Sequence, residues 1–544
     1  MARHARWIDG ETFKIYPLER PFSNFDFVER EFAGLPSLRR IMSQVRQHDG
    51  KTMVVEKIPY AQAEDLVQEN EDIATRYSHL SDCRVRRLSF FNKSLETQHA
   101  IASVSNDAFI GYAILKEDVV PGQKRKIRVF ESVVTSSRHD NNFIRGQQSW
   151  DCSVGGHTFR VNGYLYAQQN NMTNVCAHVA CRTAAARFHH KGDMTYREMN
   201  QLPEVKIDHV RKKAGGPDGT GLTADEIVSI LEAAGANCTR ADYTEATANT
   251  REPPPFQKYL YGSIESGYPV IICFGTSNQD HHAIPLFGHT FNEDTWVPSA
   301  EISYFRVGAG TAYVPSESWL STYLGHDDNW GSNFCVPRNF LYTRRRCKDR
   351  PAHAPLCNMQ DECVAHVIST LPKSVKINGL RAEVIGSDFL FSMLPQLPHP
   401  GKSWESRLEV SAKANRLVLR AILIDSQDYV KHLAKVSDWA GCLFSRNEIQ
   451  ALSALSKEKL WMIELSVPEL FSANRRKVGE VLIRAEMPPS NTRDFSTFVL
   501  GRLPGYFAIY TGGGSSNPLY QFIPNGVSGH VELFGCEDAG GRPC

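Results

Sequence analysis

The stretch Gly267-Tyr-Pro-Val-Ile-Ile-Cys-Phe-Gly-Thr-Ser-Asn-Gln-Asp-His-His-Ala-Ile-Pro-Leu-Phe-Gly288 decides the fold. Val270 to Phe274 and His282 to Phe287 are apolar runs of strand length on either side of a polar loop, so they read as two neighbouring strands. Pro285 cannot donate to a ladder, which predicts an edge or an irregularity in the second strand. Immediately upstream, Phe256 to Ser266 reads as a helix that stops at Gly267. Further upstream, Thr223 and Glu226 form a capping box ahead of a helix running to Ala234, with Gly235 placed for a left-handed cap. Another helix is predicted to begin near Thr173 or Asn174, because Cys176, Val179, Ala180, Thr183, Ala184 and Phe188 recur at helical spacing. Helices and strands together predict an α+β core.

Outward from this core, Ser153 to Val161 reads as a hairpin turning at Gly155-Gly156. Before it lie a polar helical segment, Ala61 to His79, and strand-like runs at Arg87 to Asn92, Phe109 to Glu117 and Lys126 to Val134. The basic run Lys124 to Arg128 reads as a solvated face. After the core, the Arg-, Pro-, Cys- and His-rich segment Arg344 to His366 reads as a connector. Strands are then expected at Leu417 to Ile424, Leu460 to Leu465, Val478 to Glu486, Phe507 to Tyr510 and His530 to Phe534. Thr511 to Ser516, rich in glycine, reads as a hairpin turn. The expected units are 1–155, 156–345 and 346–544, a division in keeping with a chain of 544 residues.

The formal charge of +1 provides no global field toward nucleic acid or anionic lipid. No apolar run approaches the roughly 18 residues that span a bilayer. Thirteen cysteines, an odd number, and a start without a secretion signal predict reduced thiols and a cytoplasmic location.

Chemistry concentrates around Cys176. It falls in the first turn of its predicted helix, where free backbone N–H groups and the helix dipole favour a thiolate. Gln168 and Gln169 lie upstream, and either amide could donate to an oxyanion. His282 stands at the mouth of the second strand as a candidate base. Leu324-Gly-His-Asp-Asp-Asn-Trp-Gly331 places Asp327 and Asp328 where one carboxylate can accept the second imidazole N–H. His281 and His289 read as loop histidines, and His178 as either a support behind the site or a structural residue. Cys347, His353, Cys357, Cys363 and His366 lack the paired Cys-x-x-Cys spacing of a zinc site, so neither a metal nor an organic cofactor is implied.

These residues resemble the papain-like cysteine peptidases, in the style of the bacterial C39-like branch. The resemblance rests on Gln169, Asn174-Val-Cys-Ala-His178, Gly267-Tyr-Pro-Val270, His282-Ala-Ile through Phe287-Gly288, and His326-Asp-Asp328 followed by Gly331. It covers about residues 158 to 345 and implies a papain-like core between two α+β accessory domains. It also implies Cys176 as nucleophile, His282 as base, Asp327 as orienting acid and Gln169 as oxyanion donor, with Gln168 and Asp328 as alternatives. The chain departs from papain in having Ala177-His178-Val179 after the cysteine and one more residue between Gln169 and Cys176. The 45 positions from His282 to Asp327 suggest an inserted hairpin holding Trp296 and Tyr304. The implied activity is a peptidase or isopeptidase acting on a protein or peptide, with flanking domains that could recruit a protein partner. Acyl transfer to an amine, or an interaction protein with a residual site, are the alternatives. The tail Asp538-Ala-Gly-Gly-Arg542 suggests self-cleavage after Gly-Gly.

Overall fold

The computed structural model describes residues 10–18, 30–32, 34–74, 82–119, 126–136, 142–169, 176–206, 221–244, 254–275, 281–290, 306–307, 311–341, 363–398, 403–455, 457–471, 474–491, 494–514 and 517–536. The tail Asp538 to Arg542 where self-cleavage was expected, the expected hairpin with Trp296 and Tyr304, and Cys347, His353 and Cys357 fall outside these. Among the described residues 31% are helical and 39% lie in strands, with ladders antiparallel but for one, so the chain is α+β. Among the described residues no helix is long and apolar enough to cross a membrane.

Five antiparallel strands, β1 (Phe13–Pro17), β2 (Thr52–Lys57), β3 (Asp82–Phe91), β4 (Phe109–Val119) and β5 (Lys126–Val134), pair in sequence order. Alternation sorts their side chains to two faces. Met53, Val55, Leu88, Phe90 and Leu115 meet helix α1 (Pro36–Gln47), which buries Leu38, Ile41, Met42 and Val45 at helical spacing. Val54, Val85, Phe91, Tyr112 and Ile114 meet the hairpin β6 (Gln148–Val154) and β7 (His157–Gly163), through Trp150, Cys152, Phe159 and Val161. The hairpin therefore belongs with this first sheet, and a boundary at 155/156 falls inside its turn. The polar helical segment is a short 3-10 turn, Tyr60–Gln62, followed by helix α2 (Glu64–Ala74).

The central elements are α3 (Cys176–Ala185), α4 (Ala224–Ala234), β8 (Ala236–Asp242), α5 (Gln257–Glu265), β9 (Val270–Gly275), β10 (His281–Thr290), β11 (Thr322–Asp327), β12 (Gly331–Pro337) and β13 (Val364–Pro372). Their strands form one antiparallel sheet in the order β12-β11-β10-β9-β13-β8, extended by Asn142–Phe143 on β10. β9 is apolar at nearly every position because both its faces are covered. Ile271 and Cys273 pack with Ala283 and Ile368 under α3 and α4, while Val270 and Ile272 pack with Ile284 and Val367 under α5. The capping box of Thr223 and Glu226 forms, and Gly235 has φ 109°. Pro285 pairs with Ile271, and its carbonyl faces Gly325 so closely that a Cβ there would lie 2.4 Å from the oxygen. Its donor-less nitrogen thus faces β11, where the register shifts between Leu286 and Gly288. β13 lies beyond the expected boundary at 345/346 yet sits inside this sheet, so the connector ends where the strand begins.

The third part carries α6 (Gly379–Met393) and a mostly antiparallel sheet of β14 (Val418–Asp425), β15 (Lys459–Ser466), β16 (Gly479–Arg484), β17 (Phe498–Leu503), β18 (Tyr506–Gly514) and β19 (Asn517–Pro524), with Val314–Pro315 parallel to β14 at its edge. Of the segment His530 to Phe534 only Val531–Glu532 is extended, paired with Arg476–Lys477. A row of charges crosses this sheet in register: Arg420 opposite Glu464, Glu464 opposite Glu480, Glu480 opposite Arg502. All are buried, with Lys477 inserted 2.8 Å from Glu464 and 3.5 Å from Glu480. The row continues into the central part, where Arg420 Nε donates to Glu265 Oε1 (2.5 Å) and Glu265 Oε2 meets His289 Nε2 (2.5 Å).

Candidate functional site

α3 begins at Cys176, and every residue from Ala177 to Ala185 is buried. The expected single apolar stripe is therefore a helix enclosed on all sides. Small side chains at Ala177, Ala180, Cys181 and Ala184 let it lie close against β9 and β10. Arg182 ties it to the first sheet through Glu131 (2.7 Å) and to Asp193 (2.7 Å), and the Thr183 hydroxyl donates to the Leu165 carbonyl (2.9 Å). These contacts hold the half-buried Cys176 at the mouth of β10, where its thiol faces the His281 carbonyl at 3.9 Å.

His282 is the second residue of β10, opposite Phe274, whose ring meets the imidazole edge-on at 5.5 Å. Its Nε2 lies 3.3 Å from Asp327 Oδ2 and 3.5 Å from Asp328 Oδ1. Burial alone would lower the His282 pKa. Hydrogen bonds to Asp327 and to the Cys176 side chain, with the charges of Asp328 and Asp327, outweigh it and raise it to about 10. Burial likewise works against ionisation of Asp327, but His282 and the backbone N–H groups of Asn329 and Trp330 hold its carboxyl below the usual range. Both N–H groups donate to Oδ1, at 2.8 and 3.0 Å, which leaves Oδ2 for the imidazole. At Asp328 burial, aided by the charge of Asp327, prevails over the attraction of His282, and its pKa is pushed up to about 6.

Of the two glutamines, Gln169 reaches the acid loop, its Nε2 donating to Asn329 Oδ1 at 2.9 Å. Gln168 turns to the first sheet, where its Oε1 accepts from Ser37 (3.0 Å) and from the Val129 N–H (3.1 Å). The structure thus brings together Cys176, His282, Asp327 and Asp328, sets Gln169 beside the acid loop, and directs Gln168 away. Elsewhere, desolvation pushes the thiols of the half-buried Cys238 and the buried Cys273 up to about 12 and that of the buried Cys181 well above its ordinary value.

Sequence reasoning left the first third of the chain without a role, yet α1 braces the turn between β11 and β12. Arg40 donates to the carbonyls of Ser332 (3.3 Å) and Asn333 (2.6 Å), and Gln44 Nε2 to that of Ser332 (2.8 Å). His326, buried and with its pKa lowered to about 4 by that burial, accepts from the Asn333 N–H at 3.0 Å on Nδ1. The contacts of Arg40 and Gln44 span almost 300 positions, and no local pattern announces them. His289, expected in a loop, is a fully buried β10 residue, because Glu265 on α5 supplies the partner that lets an imidazole sit in a core. His178 plays a structural part, its Nε2 pairing with Asn200 Oδ1 at 2.9 Å. Cys363 and His366 flank the start of β13, where His366 faces Asp242 at 3.6 Å.

No family model, no curated protein and no solved structure matches the chain.

Proposed function

We propose that the chain is a cysteine-dependent hydrolase with a papain-like core, acting on an amide or isopeptide bond of a protein or peptide. The observation that carries this reading is one constellation: a cysteine at the first residue of a buried helix, against an imidazole whose other nitrogen meets a carboxylate locked by two backbone N–H groups. An antiparallel sheet packed on that helix, with the base on one strand and the acid at the end of the next, supports this reading.

With Nε2 turned to Asp327, Nδ1 is the nitrogen left for the thiol proton. The thiol proton passes to His282 Nδ1 before bond formation, giving a thiolate–imidazolium pair in keeping with a ring whose pKa is raised to about 10, and Cys176 Sγ then attacks the carbonyl carbon. The oxyanion faces the Cys176 backbone N–H, in the first described turn of α3. Gln169 supplies a second donor, since Asn329 uses only one of the two Nε2 hydrogens. Collapse breaks the C–N bond, and the imidazolium gives its proton to the leaving amine. A water deprotonated by His282 then attacks the thioester, releasing the acid and regenerating the thiol.

The test is brief iodoacetamide alkylation of the native chain at mildly acidic pH, followed by peptide mapping. Cys176 is expected to react ahead of Cys335 and Cys442, which are more exposed but have no base beside them in this reading. His282→Ala should slow Cys176 while leaving those two unchanged. A Cys176 no faster than Cys335, or indifferent to His282→Ala, would falsify the dyad.

A further inference from the structure

His282 Nε2, Asp327 and Asp328 offer ligand atoms that all lie within 4.8 Å of one another. The imidazole nitrogen is 3.3 Å from one carboxylate oxygen and 3.5 Å from the other. A tetrahedral zinc ion with ligands at ~2.0–2.1 Å sets neighbouring ligand atoms about 3.3–3.4 Å apart, so these separations are already those of a coordination edge. The orienting role of Asp327 uses its own two oxygens fully and leaves Asp328 unexplained. Asp328 is only 4% exposed, and its Oδ2 has no hydrogen-bond partner among the described residues. The Tyr166 hydroxyl, 1% exposed, is within electrostatic reach of both carboxylates and has Ser37 as a hydrogen-bonding neighbour. A buried carboxylate oxygen left unsatisfied beside a nitrogen and a second carboxylate calls for a polar occupant.

We propose that this occupant is a divalent ion of the zinc type, held by His282 Nε2, Asp327 Oδ2 and Asp328, with solvent in the fourth position and the Tyr166 hydroxyl toward that solvent. One imidazole with two carboxylates suits zinc. Binding needs the Nε2 lone pair, so the proton on Nε2 leaves to solvent and the remaining ring proton sits on Nδ1, the nitrogen that must take the thiol proton. The ion therefore disables the base without touching the sulfur. Zinc acts here as a reversible inhibitor and not as a resident cofactor. The inhibitory half of this inference rests on the hydrolase reading, whereas the binding half does not.

The full-length chain, stripped with chelator, is titrated with Zn2+ against a chromophoric competitor. Wild type and Cys176→Ala should bind one high-affinity ion equally, within about twofold. Asp328→Asn and His282→Ala should each weaken that ion at least tenfold, with circular dichroism unchanged. In wild type, Zn2+ at saturation should slow alkylation of Cys176 and leave Cys335 unaffected. Loss of the ion in Cys176→Ala would make the thiol the ligand and overturn the inference, as would undiminished binding in Asp328→Asn. Because binding is read without substrate, zinc bound as stated by a chain that cleaves no peptide sinks only the hydrolase reading. Cleavage through Cys176 with no such ion sinks only this one.

Discussion

Asp327→Asn separates the two neighbouring carboxylates. In the native site Asp327 Oδ1 is committed to two backbone donors, the N–H groups of Asn329 and Trp330. An asparagine must keep its oxygen there, so its amide N–H2 turns to His282 Nε2. Donor then faces donor unless Nε2 gives up its proton, and the remaining proton moves to Nδ1, where it blocks the thiol. The lost charge adds to this. A unit charge 3.3 Å from the ring contributes ~5 kcal/mol at an effective dielectric constant of about 20. Asp328, 3.5 Å away, retains part of that field, so a loss of ~3–4 kcal/mol remains, or about 10^2- to 10^3-fold in rate. Asp328→Asn should cost tenfold or less, since the locked acceptor survives. It should not lower stability, because it removes a buried charge beside another of the same sign. The rate constant for Cys176 alkylation gives the first comparison, and the urea midpoint gives the second. Equal losses in the two variants, or the reverse ranking, would refute the lock and move the orienting role to Asp328.

Two further outcomes are expected. Arg40→Ala with Gln44→Ala removes the brace under the β11–β12 turn; each lost hydrogen bond costs about 1 kcal/mol, and probe labelling of Cys176 should slow about tenfold, whereas an unchanged rate would confine α1 to a packing role. Glu265 and Glu480 are buried, which opposes ionisation, but their cations (Arg420 and His289 for one, Arg502 and Lys477 for the other) hold both carboxyls at about 2 against an ordinary 4.5. Their folded pKa values lie below the unfolded ones, so the stability they contribute, roughly 3 kcal/mol each, is present above pH 4.5 and lost as pH falls toward 2. Arg420→Met leaves Glu265 and Glu464 short of a buried cation, should cost ~3–5 kcal/mol at neutral pH, and should move acid unfolding, followed by fluorescence, to higher pH. An acid transition that stays where it was would show the row to be dispensable.

What the sequence discloses here is what is local. Lys126 to Val134 is a strand end to end, and the capping box at Thr223 with Gly235 delimits its helix to the residue, because turn and cap signals lie within a few positions of what they control. The site was legible for a similar reason, since Cys176, His282 and Asp327 each sit at the end of an element whose type can be read. What stayed hidden depends on distant partners. Arg420, Glu464, Glu480 and Arg502 break the apolar alternation of their strands yet lie in the core, because each finds its counter-charge one strand over. β13 was obscured by the Arg- and Pro-rich segment before it, and nothing near His289 announces Glu265.

The position of β13 bears on when the site can assemble. This strand lies between β9 and β8, and β9 is the neighbour of the strand that bears His282. A growing chain holds its thiol, base and acid once it has passed residue 328, but the sheet that holds the base in register has an open interior edge until Pro372 is made. The glutamate behind His289 waits longer still, for Arg420. Assembly of the site is thereby tied to chain that lies well beyond the site's own residues. A chain ended before Pro372 carries the three residues without the strand that completes the interior of their sheet.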